Sequence, residues 1–395
     1  MDYKFSNKIN RLKPSAIREI LKATADPNVI SFAAGNPSEE AFPINAVQTI
    51  SEQVLKEDPI LALQYGISEG YAPLREILKN MLSKPLCTDY SNDDILIVSG
   101  AQQALDLAGK VFTNEGDVIL CENPSFVGAL NSFKANGAEL AGVELESDGV
   151  NIEKLEKVIS ENKNVKAFYI IPNFQNPSGI TTSLEKRKAV YDICAKNNII
   201  IIEDNPYGDL RFSGDDVPPI KSFDKDGIVV YCGSFSKVLS PGIRVGHITA
   251  AKEIINRLVV AKQSSDVHTS MWPQLICYNF LAKYDFDEHL KKLRSIYRHK
   301  CELMLNKIDE CFNPDFVHTV PEGGLFIWCT APNNVDIMEF CQKTVQKNVA
   351  VVPGTAFLPY EDRETTHSFR LNFSTPSDSE IVKGIKLLGE VTKTI

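Results

Sequence analysis

No stretch of this 395-residue chain is apolar for long enough to cross a bilayer, the longest purely aliphatic run being Ile199 to Ile202. Met1 to Lys8 lacks the apolar core of a signal peptide. There is no basic excess. The 42 Lys and Arg stand against 51 Asp and Glu, a formal net charge of −9, which argues against nucleic acid or an anionic membrane as the main partner. A locally basic site for a small anionic substrate stays open. The nine cysteines form no CxxC pair and no metal spacing. They read as free thiols in a reducing, cytoplasmic setting. Six histidines make no HxxxH or HExxH pattern, so no metal is expected. The glycine-rich dinucleotide fingerprint is missing as well, which disfavours a dinucleotide cofactor.

What is present is an ordinary globular balance, 43% hydrophobic and 24% charged. The length suits two or three domains, or one large domain with a satellite. Short β-rich runs alternate with helical patterns through the middle of the chain. The spacing predicts strands at Asp94–Gly100, Asp117–Cys121, Lys166–Ile171, Ile199–Glu203, Ile228–Cys232 and Val245–Thr249, with a helix over Gln102–Phe112. Continuous apolar strands with helices between them imply an α/β fold with a mainly parallel sheet covered on both faces. Sites in such sheets lie beyond the carboxyl ends of the strands. After about residue 255 the pattern changes to a long charged helix, Phe286–Cys311. Short strands follow at Gly323–Cys329, Val349–Pro353 and Phe369–Phe373. This reads as a smaller α+β domain. The division expected is an N-terminal arm over 1–45 with a helix at Ser15–Ala23, a large domain over 46–285 and a small domain over 286–395. No internal repeat or low-complexity linker appears.

Tyr231 to Gly246 places Lys237 among small hydroxyl residues, with Arg244 seven positions on. A lysine amine that condenses with an aldehyde, beside hydroxyls and a guanidinium for a dianionic phosphate, is what a pyridoxal phosphate site needs. Lysines near serines are common, so three further segments carry the argument. In Asn173–Gly179, an Asn-Pro-Ser-Gly turn holds Asn176 rigidly, either as a plain loop element or as a donor to an anionic ring oxygen. In Glu203–Tyr207, Asp204 stands where a buried strand reaches the sheet edge. It is either a solvated turn aspartate or the partner of a protonated pyridine nitrogen, and Tyr207 can add a bond to the ring oxygen. In Ser99–Gln103, Gly100 permits a turn, and the amides of Ala101 and Gln102 open a helix suited to the phosphate, together with Ser234, Ser236 and Arg244. Phe126 could stack on a planar ring or fill the core. Arg370, between Phe369 and Leu371 in a β-like alternation, is either a surface ion pair or a planar fork for an α-carboxylate.

With these segments in place the chain resembles the fold-type I pyridoxal phosphate enzymes, and among them the class I/II aminotransferases of the 2-aminoadipate/kynurenine branch. The matching motifs are Ile17–Leu21, Ser31–Pro37, Gln64–Arg75, Asn173–Gly179, Glu203–Tyr207, Ser234–Arg244 and Arg370. The resemblance implies an aspartate aminotransferase-like fold. It makes Lys237 the Schiff-base lysine and proton shuttle, Asp204 the partner of the pyridine nitrogen, and Asn176 and Tyr207 the partners of the ring oxygen. Phe126 stands where this branch usually has a stacking tyrosine, and Ala101 where a serine is frequent. Tyr65 matches a tyrosine that reaches the phosphate from a partner subunit, which implies a homodimer with shared sites. Gly35 would approach the substrate carboxylate through its backbone. Arg18 matches an arginine that can meet a distal carboxylate, a role set against that of a solvated helix arginine.

The expected reaction is transfer of an amino group between an L-amino acid and a 2-oxo acid such as 2-oxoglutarate, with glutamate, 2-aminoadipate, aromatic or aliphatic donors all open. A lyase, decarboxylase or acyl-transferring synthase would keep the cofactor and change the bond that breaks. A cofactor-sensing transcription regulator is disfavoured by the acidic charge and by the start of the enzyme-like motifs at Ile17.

Overall fold

The computed structural model describes residues 3–12, 26, 28–360 and 365–395. The helix expected at 15–23 lies outside them. The larger sheet has eight strands: β1 Asp93–Val98, β2 Val118–Asn123, β3 Glu139–Glu146, β4 Gly149–Val150, β5 Val165–Ile170, β6 Ile200–Asp204, β7 Val229–Ser234 and β8 Gly246–Ala251. Their order across the sheet is β1-β8-β7-β6-β5-β2-β3-β4. Strands β7, β6, β5, β2 and β3 run parallel. β8 lies antiparallel to both β7 and β1, and β4 antiparallel to β3. The sheet is therefore mixed and mainly parallel, as expected. Strand β3 was not expected. It lies near the sheet edge and is only partly buried, so its sequence lacks the unbroken apolar run of the others.

Alternate residues of the parallel strands feed two separate cores. Ile119, Cys121, Ala167, Tyr169, Ile202 and Val230 face one side. Leu120, Phe168, Ile170, Ile201 and Val229 face the other, with Leu155, Val190 and Cys194 of the helices Ile152–Glu161 and Leu184–Lys196. The two-residue period of a strand requires this split. Fully burying each Val, Ile or Phe side chain contributes about 1.5–3 kcal/mol. The apolar faces thus fix the register, and the register delivers the polar strand ends Asn123, Asp204 and Ser234 to one edge.

A second, antiparallel sheet takes Val317–His318, Phe326–Thr330, Ser368–Asn372 and Val352–Pro353 in that order. The helices Phe286–Cys311 and Asp378–Thr392 pack on each other, the latter opened by a Ser377–Glu380 capping box. The strand expected at 349–353 splits in two. Val352–Pro353 joins this sheet, whereas Val349–Ala350 pairs in parallel with Ile30–Ser31 near the other end of the chain. That pairing leads Ala33 to Asn36 towards the carboxyl edge of the large sheet. Among the described residues no helix is long and apolar enough to cross a membrane.

Candidate active site

A cavity of about 530 Å³ opens at that edge, between the two sheets. Every site residue expected from the sequence lines it except Tyr65 and Arg18. Arg18 lies outside the described residues. Tyr65 is 82% exposed, edge-on to His268, and away from this cavity. A second cavity of about 520 Å³, lined by Tyr231, His247 and Arg211, contains neither Lys237 nor Asp204.

Lys237 follows strand β7. Its Nζ donates to the carbonyl of Gly35 at 2.6 Å. Loss of water around the amine, and then the charges of Arg370 and Arg244, pull its pKa down to about 8. Gly35 is held in turn by its neighbours. The carbonyl of Ala33 accepts from Arg370, and that of Asn36 accepts from Ser374 and Thr375. A Cβ on Gly35 would lie 3.2 Å from the Phe326 ring, so the close approach here is to an aromatic side chain as well as to the cavity.

Arg370 is 3% exposed, so the surface ion pair is excluded. Strand pairing sets it opposite Trp328 on one side and Val352 on the other. Its Nη1 donates to Asn176 Oδ1 at 2.8 Å and its Nη2 to Ala33 O at 2.7 Å, while the buried Nε has no partner among the described residues. The guanidinium lies over the rings of Phe326 at 4.2 Å and Phe357 at 4.9 Å. Among the described residues no carboxylate pairs with it, and desolvation draws its pKa down to about 10. A buried cation in that condition is a receptor for an incoming anion.

Asp204 ends strand β6 and is 2% exposed. Oδ2 accepts from the Tyr169 hydroxyl at 2.9 Å, and Oδ1 has no partner among the described residues. Burial pushes the carboxyl up to about 7. Tyr207 is buried against Phe326, its hydroxyl within reach of the Asn176 amide. Its pKa is raised by burial and partly drawn back by the Arg370 charge. Asn176 gives its oxygen to Arg370, which leaves its amide hydrogens free to donate.

At the far end, Gly100 adopts φ +80° and caps the helix Ala101–Phe112. A Cβ there would lie 2.4 Å from Arg244 Nη2, so only glycine lets the guanidinium close over the turn. Arg244 takes a left-handed φ of +55° and donates to Ser236 Oγ at 3.5 Å, Pro241 O at 3.3 Å and Ser99 O at 3.3 Å. Ser234 Oγ accepts from the Ser236 amide. Gln102 donates to Gly128 O beside Phe126.

These donors fit the expected cofactor group by group. An orphaned buried carboxylate oxygen suits a protonated ring nitrogen, and an aromatic face lies alongside. Amide and phenol donors suit a ring oxygen, and the helix start with its guanidinium suits a phosphate. Sequence reasoning missed Tyr169 and Glu122. Glu122, the next-to-last residue of β2, is fully buried, and its Oε2 accepts from Ile171 N at 3.0 Å and Gln175 Nε2 at 3.2 Å. A tyrosine inside an otherwise apolar strand was the available signal, since a buried hydroxyl needs a partner. Nothing in the sequence marked Glu122 apart from its position at a strand end.

The aminotransferase class I and II family model matches residues 27–388. An aromatic-amino-acid aminotransferase 1 of Thermococcus litoralis is 41% identical over 100% of this chain and 95% of its own length. A 2-aminoadipate transaminase of Thermus thermophilus is 36% identical over 98% of this chain and 96% of its own. The crystal structure of a Pyrococcus horikoshii kynurenine aminotransferase, described as in complex with PMP, superposes with a TM-score of 0.94 at 36% identity, covering 99% of this chain and 97% of that one.

Proposed function

We infer the function from one premise: the chain belongs to the aminotransferase class I and II family and is a pyridoxal-phosphate-dependent amino-acid transaminase of fold type I. On that premise we propose that Lys237, Asp204 and Arg370 are its central working residues, and that aromatic amino acids and 2-aminoadipate are its donors with 2-oxoglutarate as acceptor. The observation that carries the site assignment is the meeting of these three groups, from distant parts of the sequence, in one cavity. The donor assignment rests on the named relatives and on a wall that mixes Phe126, Val127 and Ile171 with the amide of Asn131.

When bound, pyridoxal phosphate supplies the electron sink that makes the substrate's α-hydrogen acidic. Asp204 Oδ1 would face the ring nitrogen, Asn176 and Tyr207 the ring oxygen, and Phe126 the ring face. The amides of Ala101 and Gln102, Ser234, Ser236 and Arg244 would take the phosphate. Arg370 orients the α-carboxylate, which supplies the anion its buried charge lacks. Lys237 Nζ removes and returns the α-proton, and its lowered pKa leaves enough neutral amine to act as a base near neutral pH. Gly35 O, already bonded to that amine, aims it.

The protomer is read as half of a homodimer. Ile44, Ile60, Leu63, Tyr65 and Ile67 are between 57% and 82% exposed, an apolar surface that a second copy would cover. Tyr65 on that surface would reach the partner's phosphate. Cytoplasmic residence rests on the nine cysteines, none of which is joined in a disulfide among the described residues. The arm over 1–45, large domain over 46–285 and small domain over 286–395 remain the proposed division. Borohydride reduction followed by peptide mass spectrometry tests the site, and an adduct anywhere but Lys237 overturns it. A donor panel against 2-oxoglutarate tests the substrate class, and preference for a small aliphatic donor would reject it.

A further inference from the structure

We propose that Tyr169 is the positioning residue of Asp204: its hydroxyl holds one carboxylate oxygen and so reserves the other for the cofactor's ring nitrogen. The inference rests on the role proposed above for Asp204 and concerns a residue that only the folded chain brings to it.

Tyr169 lies on β5 and Asp204 on β6, 35 residues later. The two strands are parallel neighbours with Tyr169 opposite Ile202, so Asp204 falls two residues further along the same face. Both side chains are buried, at 0% and 2% exposure. The hydroxyl donates to Oδ2 at 2.9 Å, and Oδ1 makes no bond among the described residues.

An aspartate carboxylate turns readily about its last torsion, because that torsion is broad and roughly two-fold. A single bond from a mobile donor would not stop it. Tyr169 is not mobile. Its backbone pairs with strands on both sides, and its ring packs edge-on against Phe133 with centroids 5.5 Å apart. A fixed donor on one oxygen therefore fixes the direction of the other.

The arrangement is also unfinished. One hydrogen bond does not compensate a carboxylate withdrawn from water, which is why burial pushes Asp204 up to about 7. Two more buried acidic groups, Glu122 and Tyr207, lie close enough that the charge of Asp204 raises the pKa of each, after the larger effect of burial. No cation touches Oδ1 among the described residues. A protonated ring nitrogen on Oδ1 would complete the set, and Tyr169 makes that oxygen available without rearrangement.

The test is the cofactor dissociation constant of the full-length protein, titrated from its cofactor-free form. The wild type, Tyr169→Phe, Asp204→Asn and the double variant are compared, with melting temperatures of each cofactor-free form. Tyr169→Phe should weaken binding roughly ten-fold or more, the range for a bond to a charged group. It should lower kcat more than it raises KM for the amino donor. In the Asp204→Asn background it should add little, since the two residues act as one unit. A hydroxyl that merely fills the core would lower the melting temperature and leave the dissociation constant within two-fold, which overturns the proposal. So would an equal loss in both backgrounds. If Asp204→Asn itself leaves binding unchanged, the assignment of Asp204 fails first, and that result is distinct from either of the others.

Discussion

Arg370 and Arg244 point into the same cavity from very different surroundings. Arg370 is 3% exposed, lies over two aromatic rings and donates at 2.7 and 2.8 Å. Arg244 is exposed and rests on a left-handed backbone, with donor distances of 3.3 to 3.5 Å. The end proposed for the carboxylate is thus pre-organised by one chain, whereas the end proposed for the phosphate is held loosely. Pre-organised groups discriminate between transition state and ground state; loosely held ones tighten only when their ligand arrives. The tight end should therefore control catalysis, and the open end should control cofactor retention and depend on a second copy.

Removing the amine between the two ends should have the largest effect. Lys237→Ala should lose turnover by roughly 10⁴-fold or more, the upper range for a positioned acid–base group. Steady-state transfer in that variant without added amine would remove Lys237 from its role. Next comes the tight end. Arg370→Ala should cost about 3 kcal/mol in kcat/KM, or roughly 100-fold, for amino and oxo acids alike, because a buried anion loses its partner. Cofactor affinity should change far less. Equal damage to both quantities would erase the contrast between the two ends.

The open end gives smaller numbers and a sharper geometry. Tyr65→Ala should weaken cofactor binding by roughly ten-fold. Mixing it with Lys237→Ala distinguishes shared from separate sites. If each tyrosine serves the partner, a mixed dimer carries one fully wild-type site and regains activity. If each serves its own chain, both sites stay defective and mixing restores nothing. The amine has a pH signature of its own. Its pKa is lowered from 10.5 to about 8, so the neutral form that reacts with an aldehyde prevails only above that value. Uptake of pyridoxal phosphate by the cofactor-free protein should accelerate as pH rises through about 8 and then level off. Stopped-flow absorbance checks this, and a rate that keeps climbing to pH 10 would contradict the shift.

The same contrast explains what could be read from the sequence. The parallel strands were legible because they are apolar on both faces, and their polar ends Asp204 and Ser234 therefore stood out. Asn176 and Gly100 were legible because turn chemistry leaves few alternatives. Strand β3 was not, because an outer strand has a half-polar pattern. Tyr169 and Glu122 were hidden for the opposite reason. Each works through a neighbour that only the sheet register supplies, so a tyrosine in an apolar run looks like core. Residues that touch a ligand announce themselves by type and turn, while residues that hold them do so only by three-dimensional pairing.

Glu122 offers the smallest effect and tests that last point at the tight end. Its Oε2 accepts from Ile171 N and Gln175 Nε2, and Gln175 in turn accepts from the amide and hydroxyl of Ser178. It thereby steadies the turn that carries Asn176. Burial pushes its pKa from 4.5 up to about 8, helped by the charge of Asp204. A group whose folded pKa is raised contributes stability below its unfolded value and loses it as pH rises through the folded one. The contribution of Glu122 is therefore full below about pH 4.5 and fades towards pH 8. In Glu122→Gln the amide oxygen can accept the same two bonds and never ionises. The holoenzyme variant should melt within a few degrees of wild type at pH 6 and gain on it by pH 9, where the native carboxylate must carry a buried charge beside Asp204. A melting difference that stays constant between those two pH values would show that Glu122 is already ionised at pH 6, and Asp204 would then share its pocket with a second negative charge.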